Sequence, residues 1–330
     1  MKRRNLLGFM VAALAAPSKL FAQQPSRVYR IGLLGVSTPT PEILKGSLEP
    51  FRQGLRERGW IEGRNIVIEQ RWAEGRSERY SKLAAELVRL KVDVIVTPSS
   101  EAVLGVRQAT RTVPIVGTFL GDPVKLGLAQ SYAHPGGQVT GLTSEAGGLP
   151  IAAKTLEFLK QAVPTASRIS VLLNPKSAIA RGLLNDIEPA AKSLKVELFV
   201  VEAGAPEQFE HAFARMKQDR ADALHIPGDS MLFAHRAWIA ELALRHRLPM
   251  SSAMPEYAQA GGLINYVMDS SDNYRRAAGY VDKILRGANP GELPIEQPTR
   301  FQLVVNVKTA RALGITIPQS LLLRADRVIE

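Results

Sequence analysis

The 330-residue chain contains no cysteine. That excludes a disulfide framework, a thiolate metal site and a cysteine nucleophile. It also excludes the lipid anchor that exported lipoproteins carry on a cysteine. No apolar run approaches the ~20 residues that a bilayer core requires. The five histidines, His134, His211, His225, His235 and His246, never fall at the H-x-x-x-H or H-E-x-x-H spacing of zinc ligands. There is no G-x-S-x-G elbow. There is no phosphate-binding loop, and Gly32-Leu33-Leu34-Gly35 lacks the dinucleotide-binding spacing. No cofactor or metal is called for, and catalytic residues are expected to be none. Asp229 and Glu256 can be drawn as a carboxylate pair, but sequence sets no distance between them.

A nucleic-acid partner is excluded on similar grounds. The formal net charge is +11, yet the basic residues alternate with acids along helix faces, as in Arg52-Gln53-Gly54-Leu55-Arg56-Glu57-Arg58. Such a stretch is a solvated surface. No basic run is interleaved with aromatics.

What is present begins at the N-terminus. Lys2, Arg3 and Arg4 precede an uncharged apolar run, residues 6–16, and a small residue, Ala22, follows a break at Pro17-Ser18. This is the layout of a cleavable secretory signal over residues 1–22. The Arg3-Arg4 pair also permits a twin-arginine signal, with the general secretory route ahead of it. The expected location is the periplasm. Loss of Lys2, Arg3, Arg4 and Lys19, four positive charges, lowers the formal charge from +11 to +7. With 45% hydrophobic and 22% charged residues, the remainder is globular. Its length, roughly 308 residues, suits two lobes of ~150 each.

Apolar runs at residues 29–35, 65–69, 92–96 and 114–117 read as buried strands. They alternate with helical periodicity at 44–60, 77–90 and 100–110. Ser100 is the expected cap of the third helix. After the turn Pro135-Gly136-Gly137 the pattern restarts: helices at 151–162, 178–194, 206–218 and 231–247, strands at 168–173, 196–201, 223–226 and 248–251. The class is α/β, with two similar doubly wound parallel-sheet lobes. Ligands sit at the carboxyl edge of such sheets. The polar residues expected there are Ser37 and Thr38 after the first strand, Ser99, Ser100 and Glu101 after the third, and Thr118 and Asp122 after the fourth. In the second lobe they are Asn174, Asp229 and Glu256, with Tyr266 near a crossing between lobes. The alternative for each is a turn or cap residue. The loop at 97–101 opens a helix, whose free amide hydrogens suit a carboxylate, while Glu101 suits an amino group.

Two ordered motifs carry a resemblance. One is Pro114-Ile115-Val116, Gly121-Asp122-Pro123-Val124, Gly127-Leu128 and Pro135-Gly136-Gly137-Gln138-Val139-Thr140-Gly141. The other runs from Ala277-Ala278 through Leu293-Pro294-Ile295-Glu296-Gln297-Pro298 and Phe301-Gln302-Leu303-Val304-Val305-Asn306 to Arg324-Ala325-Asp326-Arg327-Val328-Ile329. Together they resemble the ABC transporter substrate-binding proteins of the type I periplasmic binding fold, including tryptophan- and tyrosine-type uptake proteins. Gln138 departs from the more usual Asn. The resemblance implies a three-crossing hinge, with crossings near 140–148, 267–273 and 294–306. The expected lobes are residues 28–142 with 270–293, and 143–269 with 294–330. It also implies a solute-binding component, a monomer, that captures an amino-acid-like or small aromatic or polar molecule and delivers it to an inner-membrane ABC permease. A periplasmic sensor feeding a signalling receptor, and an enzyme on the same scaffold, are the alternatives.

Overall fold

The computed structural model of the chain describes residues 27–144, 151–298 and 300–330. The expected signal at 1–22 and the 145–148 part of the first expected crossing lie outside the described residues. Five parallel strands make the first sheet: β1 Tyr29–Gly35, β2 Ile66–Trp72, β3 Val94–Thr97, β4 Ile115–Leu120 and β5 Val139–Thr143, in the order β2-β1-β3-β4-β5. Seven make the second: β6 Arg168–Leu173, β7 Glu197–Glu202, β8 Ala223–Ile226, β9 Met250–Ser252, β10 Ile264–Met268, β11 Phe301–Asn306 and β12 Arg327–Ile329, in the order β12-β11-β10-β9-β8-β6-β7. The chain is α/β with two lobes built on parallel sheets.

The central strands of the first sheet, β1, β3 and β4, are largely apolar and buried because helices cover both faces. On one face of the first sheet, Ile31, Leu33, Val94 and Val96 meet Phe51 and Leu55 of helix Leu48–Arg56, and Ala277 and Val281 of helix Ser270–Leu285. On the other, Leu34, Ile95 and Ile115 meet Leu83 and Leu87 of helix Tyr80–Arg89, and Val103 and Val106 of helix Ser100–Ala109. Each such side chain contributes about 1.5–3 kcal/mol by leaving water.

The structure departs from the sequence pattern in ways that matter for the cleft. The single helix expected at 44–60 is two, Pro41–Gly46 and Leu48–Arg56. Thr40 caps the first, and the Ser47 hydroxyl bonds back to the Ile43 carbonyl at 2.5 Å, closing it at Gly46. The helix expected at 231–247 is likewise split, into Ser230–Ala234 and Arg236–Arg245. The cap of helix Ser100–Ala109 is Ser99, not Ser100: the Ser99 Oγ accepts the Ala102 N–H at 3.1 Å.

The crossings are narrower than expected. Val139–Thr143 is a strand of the first sheet, and the Ser144 N–H still bonds the Leu120 carbonyl at 2.6 Å. The first lobe therefore extends past residue 142. Gly141 makes β5 possible. It has φ +129°, and a Cβ there would lie 2.0 Å from the Gly117 carbonyl oxygen. The second crossing begins only after β10 ends at Met268, and Asp269 caps the returning helix through the Ser271 N–H at 2.9 Å. At the third, residues 294–296 stay with the first lobe rather than joining the second. The Glu296 N–H bonds the Gly141 carbonyl at 2.9 Å, and Ile295, 3% exposed, needs the apolar core around Tyr132 and Leu128. A chain that returns at the carboxyl edge must run away from it, so β11 is antiparallel to β10.

Gly141→Ala is expected to destabilise the protein by about 2–4 kcal/mol, from the left-handed backbone and the clash with Gly117. Urea unfolding measures this; a loss under 1 kcal/mol would mean that β5 can move away from β4 at little cost.

Candidate functional site

The carboxyl edges of the two sheets enclose a cavity of about 230 Å³. The first lobe contributes the ends of β1, β3, β4 and β5; the second contributes the start of helix Ile151–Ala162 and the loops after β8 and β9. The volume is below the ~300–1,000 Å³ of sites for drug-sized molecules, so the occupant is small.

The lobes are closed on one another. The Glu101 carboxylate, from the first lobe, reaches the Ser177 side chain and the Ala178 backbone of the second. Lys125 Nζ lies 2.7 Å from Asp186 Oδ1. Ile43 packs into the core of the second lobe, and Trp72 packs against the cores of both. Gly75, at φ +77°, sits so near helix Ser230–Ala234 that a Cβ would lie 2.6 Å from the Ala234 Cβ.

Aromatic and aliphatic groups make most of the wall. Trp72 lies over Gly35, where a Cβ would come within 2.1 Å of the indole. Phe119 and Tyr274 meet edge-on, centroids 5.7 Å apart. Phe233 and Met254 close the opposite side. Among the described residues no lysine or arginine lines the cavity, whereas Glu101, Asp186, Asp229 and Glu256 do. The guanidinium of Arg236 is held outside by the ring of Phe233, 4.7 Å from its centroid.

Burial dominates the electrostatics of Glu101, Asp229 and Glu256. Together with the smaller effect of the Asp229 charge it pushes Glu101 up to about 7, against the opposing contacts with Ala178 and Ser177. Burial also raises Asp229, against hydrogen bonds from the Leu232 N–H (2.8 Å) and Asn174 Nδ2 (3.1 Å). It raises Glu256, with the distant pull of Arg236 opposing. Among the described residues, none of the three has an ion-pair partner among the lysines and arginines.

Six of the residues expected from sequence line this cavity: Ser37, Ser99, Ser100, Glu101, Asp229 and Glu256. The others do not. Thr38 turns out to solvent. Thr118 is fully buried behind the wall, its carbonyl accepting from Asn273 Nδ2 at 2.9 Å. Asp122 caps its own turn through the Val124 and Lys125 N–H groups. Asn174 stands behind Asp229. Tyr266 stacks on Phe301, centroids 5.3 Å apart, beside Phe158. Sequence reasoning missed Trp72, Phe119, Tyr274 and Phe233. Trp72 and Phe119 lie where β2 and β4 run on past the expected ends, and strand length was the signal that would have placed them.

Comparison with known proteins points one way. The family described as ABC transporter substrate binding protein matches residues 41–329. A tyrosine-binding protein of Clostridioides difficile (strain R20291) is 24% identical over 265 residues, covering 80% of this chain and 75% of that one. A conserved domain protein from Vibrio cholerae O1 biovar El Tor N16961 superposes with TM-score 0.84 at 25% identity, over 92% of this chain and 100% of that one. A Streptococcus pneumoniae ABC domain in complex with L-Trp gives 0.83 at 23% identity, with the same coverage.

The closed cleft has a pH signature. Burial in the cleft raises Glu101 from its ordinary value, 4.5, to about 7, so a carboxyl returned to water is expected to fall back toward 4.5. The closed form therefore holds the extra proton, and closure is favoured as pH falls through 7. The groups facing Glu101 are Asp229, Ser177, the Ala178 backbone and Tyr80; Asp229 is shifted in the same direction. The radius of gyration of ligand-free protein is expected to shrink between pH 8 and pH 5.5. A constant radius over that range contradicts the assignment.

Proposed function

This chain belongs to the ABC transporter substrate-binding protein family, and we propose that it captures a small aromatic amino acid in the interlobe cavity and hands it to a membrane ABC permease. The family binds rather than transforms its substrate, so the chain is not an enzyme. The observation that carries the ligand class is the cavity itself. It is closed, small, walled by Trp72, Phe119, Tyr274 and Phe233, and edged by serine hydroxyls at the starts of two helices. Aromatic walls take a ring; helix starts and hydroxyls take a carboxylate. The tyrosine-binding relative and the L-Trp complex support the same class.

Ser99 and Ser100 hold the carboxylate in this reading. Each already accepts one backbone N–H through its oxygen, from Ala102 and Gly121 respectively, and each retains a hydrogen to donate. The protein works as an exported monomer, released after Ala22, and its two lobes hinge about three narrow crossings.

Two measurements follow. Calorimetry with L-Trp and L-Tyr is expected to show binding. The double change Ser99→Ala, Ser100→Ala is expected to weaken it at least about tenfold, as loss of hydrogen bonds to a charged group does. Unchanged affinity in a folded variant removes that loop from the site, and absence of binding to either amino acid refutes the class. N-terminal sequencing of exported protein is expected to begin at or near Gln23; uncleaved protein in the cytoplasm refutes export.

A further inference from the structure

We propose that the far pole of the second lobe, opposite the cavity, is a docking face for the surface of an anionic phospholipid bilayer. The proposal goes beyond the ligand reading above, and its test uses no ligand. The fold itself builds the face. The carboxyl edge of the second sheet borders the cavity, so the amino edge points away from it. Strands β7, β6, β8 and β9 are parallel neighbours there. A spacing of ~4.8 Å puts their four starts within about 15 Å. Each strand follows the carboxyl end of a helix: Ile151–Ala162, Ala180–Ser193, Phe209–Gln218 or Arg236–Arg245. All four helices carry a basic residue in the last turn.

Three of the turns from helix to strand hold a left-handed residue, and each is basic: Lys195 at φ +54°, Arg220 at φ +55° and Arg247 at φ +57°. Glycine is the usual residue at such a helix end, because a side chain there is strained. The first lobe places Gly59 and Gly287 after two of its helices, and Lys91 alone repeats the basic choice. A cation also compensates the helix dipole, but that gain does not exceed the strain. The strained side chains are therefore explained by what they reach. The acids at this edge are already engaged. Glu197 pairs with Arg168, Asp219 with Arg215, and Glu210 and Glu241 with Arg245. Asp222 holds the Ser167 and Arg168 N–H groups. Lys192, Lys195, Lys217, Arg220 and Arg247 are exposed and, among the described residues, make no ion pair. Leu244, in the last turn of helix Arg236–Arg245, is 46% exposed, and its carbonyl accepts the Arg247 N–H at 3.0 Å. Flexible cations beside an exposed leucine suit phosphate head groups over an acyl boundary. A soluble polyanion makes no use of the leucine.

The test is co-sedimentation of exported protein with vesicles of phosphatidylcholine, alone or with about 30% phosphatidylglycerol. Wild type is expected to bind the anionic vesicles at about 50 mM salt. It is expected to bind at least about tenfold more weakly at about 500 mM, or on phosphatidylcholine alone. The variant Lys195→Gly, Arg220→Gly, Arg247→Gly relieves the left-handed backbone and is expected to keep its unfolding midpoint while binding at least about tenfold more weakly. The matched variant Arg64→Gln, Arg89→Gln, Lys91→Gly takes the same charge from exposed positions of the first lobe. It is expected to bind within about threefold of wild type. Leu244→Gln is expected to weaken binding about threefold or more. Should the glycine variant fail to fold, Lys192→Gln with Lys217→Gln, on ordinary helical backbone, takes its place and is expected to lose at least about fivefold. Wild type that ignores anionic vesicles overturns the proposal, as do equal losses in the two lobes' variants. Unchanged binding by Leu244→Gln also overturns it and assigns the cations to a soluble polyanion.

Discussion

Negative charge shut between two lobes, with no lysine or arginine paired to Glu101 or Asp229 among the described residues, is the constraint around which the molecule is arranged. A carboxylate whose midpoint rises from 4.5 to about 7, as that of Glu101 does in the closed cleft, bears on the order of 3 kcal/mol against its charged form. That is a large fraction of what separates two conformations of a hinged protein. The penalty falls on closure and not on folding, because each lobe completes its own core without it. Glu101 stands at the start of a helix docked on the first sheet, and Asp229 caps a helix docked on the second. Neither lobe alone has to hide the two charges together.

The rest of the cleft serves that arrangement. Parallel sheets place all their carboxyl ends, and the first turns of the following helices, on one edge. Two such edges face each other, and Trp72, packed on both apolar cores, couples their separation to the shape of the cavity. Gly75 lets the first lobe approach helix Ser230–Ala234 more closely than any side chain would permit. The chain passes from the second lobe back to the first after Met268 and leaves the first lobe again after Glu296. Outside the cleft, the ion pairs are on the surface and contribute little.

Much of this was legible in the sequence, for identifiable reasons. Continuous apolar runs such as Ile31 to Leu34 mark strands covered on both faces, and their alternation with helical periodicity gave the two lobes. Ser99, Ser100, Glu101 and Asp229 were found because they follow strands. The misses share one cause. Val139–Thr143 is short, contains a glycine and was expected to begin a crossing between the lobes, yet Gly141 is there so that β5 can approach Gly117. Trp72 and Phe119 lie beyond the point where periodicity fades, and Tyr274 is brought in by a helix that belongs to the second half of the sequence and the first lobe of the fold. Tyr266 was placed by nearness to a crossing, whereas its ring is committed to Phe301 and Phe158. Local pattern locates strand ends; only tertiary packing decides which side chains those ends turn inward.

Occupation of the interlobe cavity by one small aromatic amino acid is the proposal on which the rest depends. The most direct measurement is a crystal structure of protein purified from its own cell envelope without denaturation. Closed lobes, with ring-shaped density among Trp72, Phe119 and Tyr274 and a carboxylate at Ser99 and Ser100, are the expected result. Closed lobes around a ligand that carries no basic nitrogen, or a ligand bound outside this cavity, would contradict it.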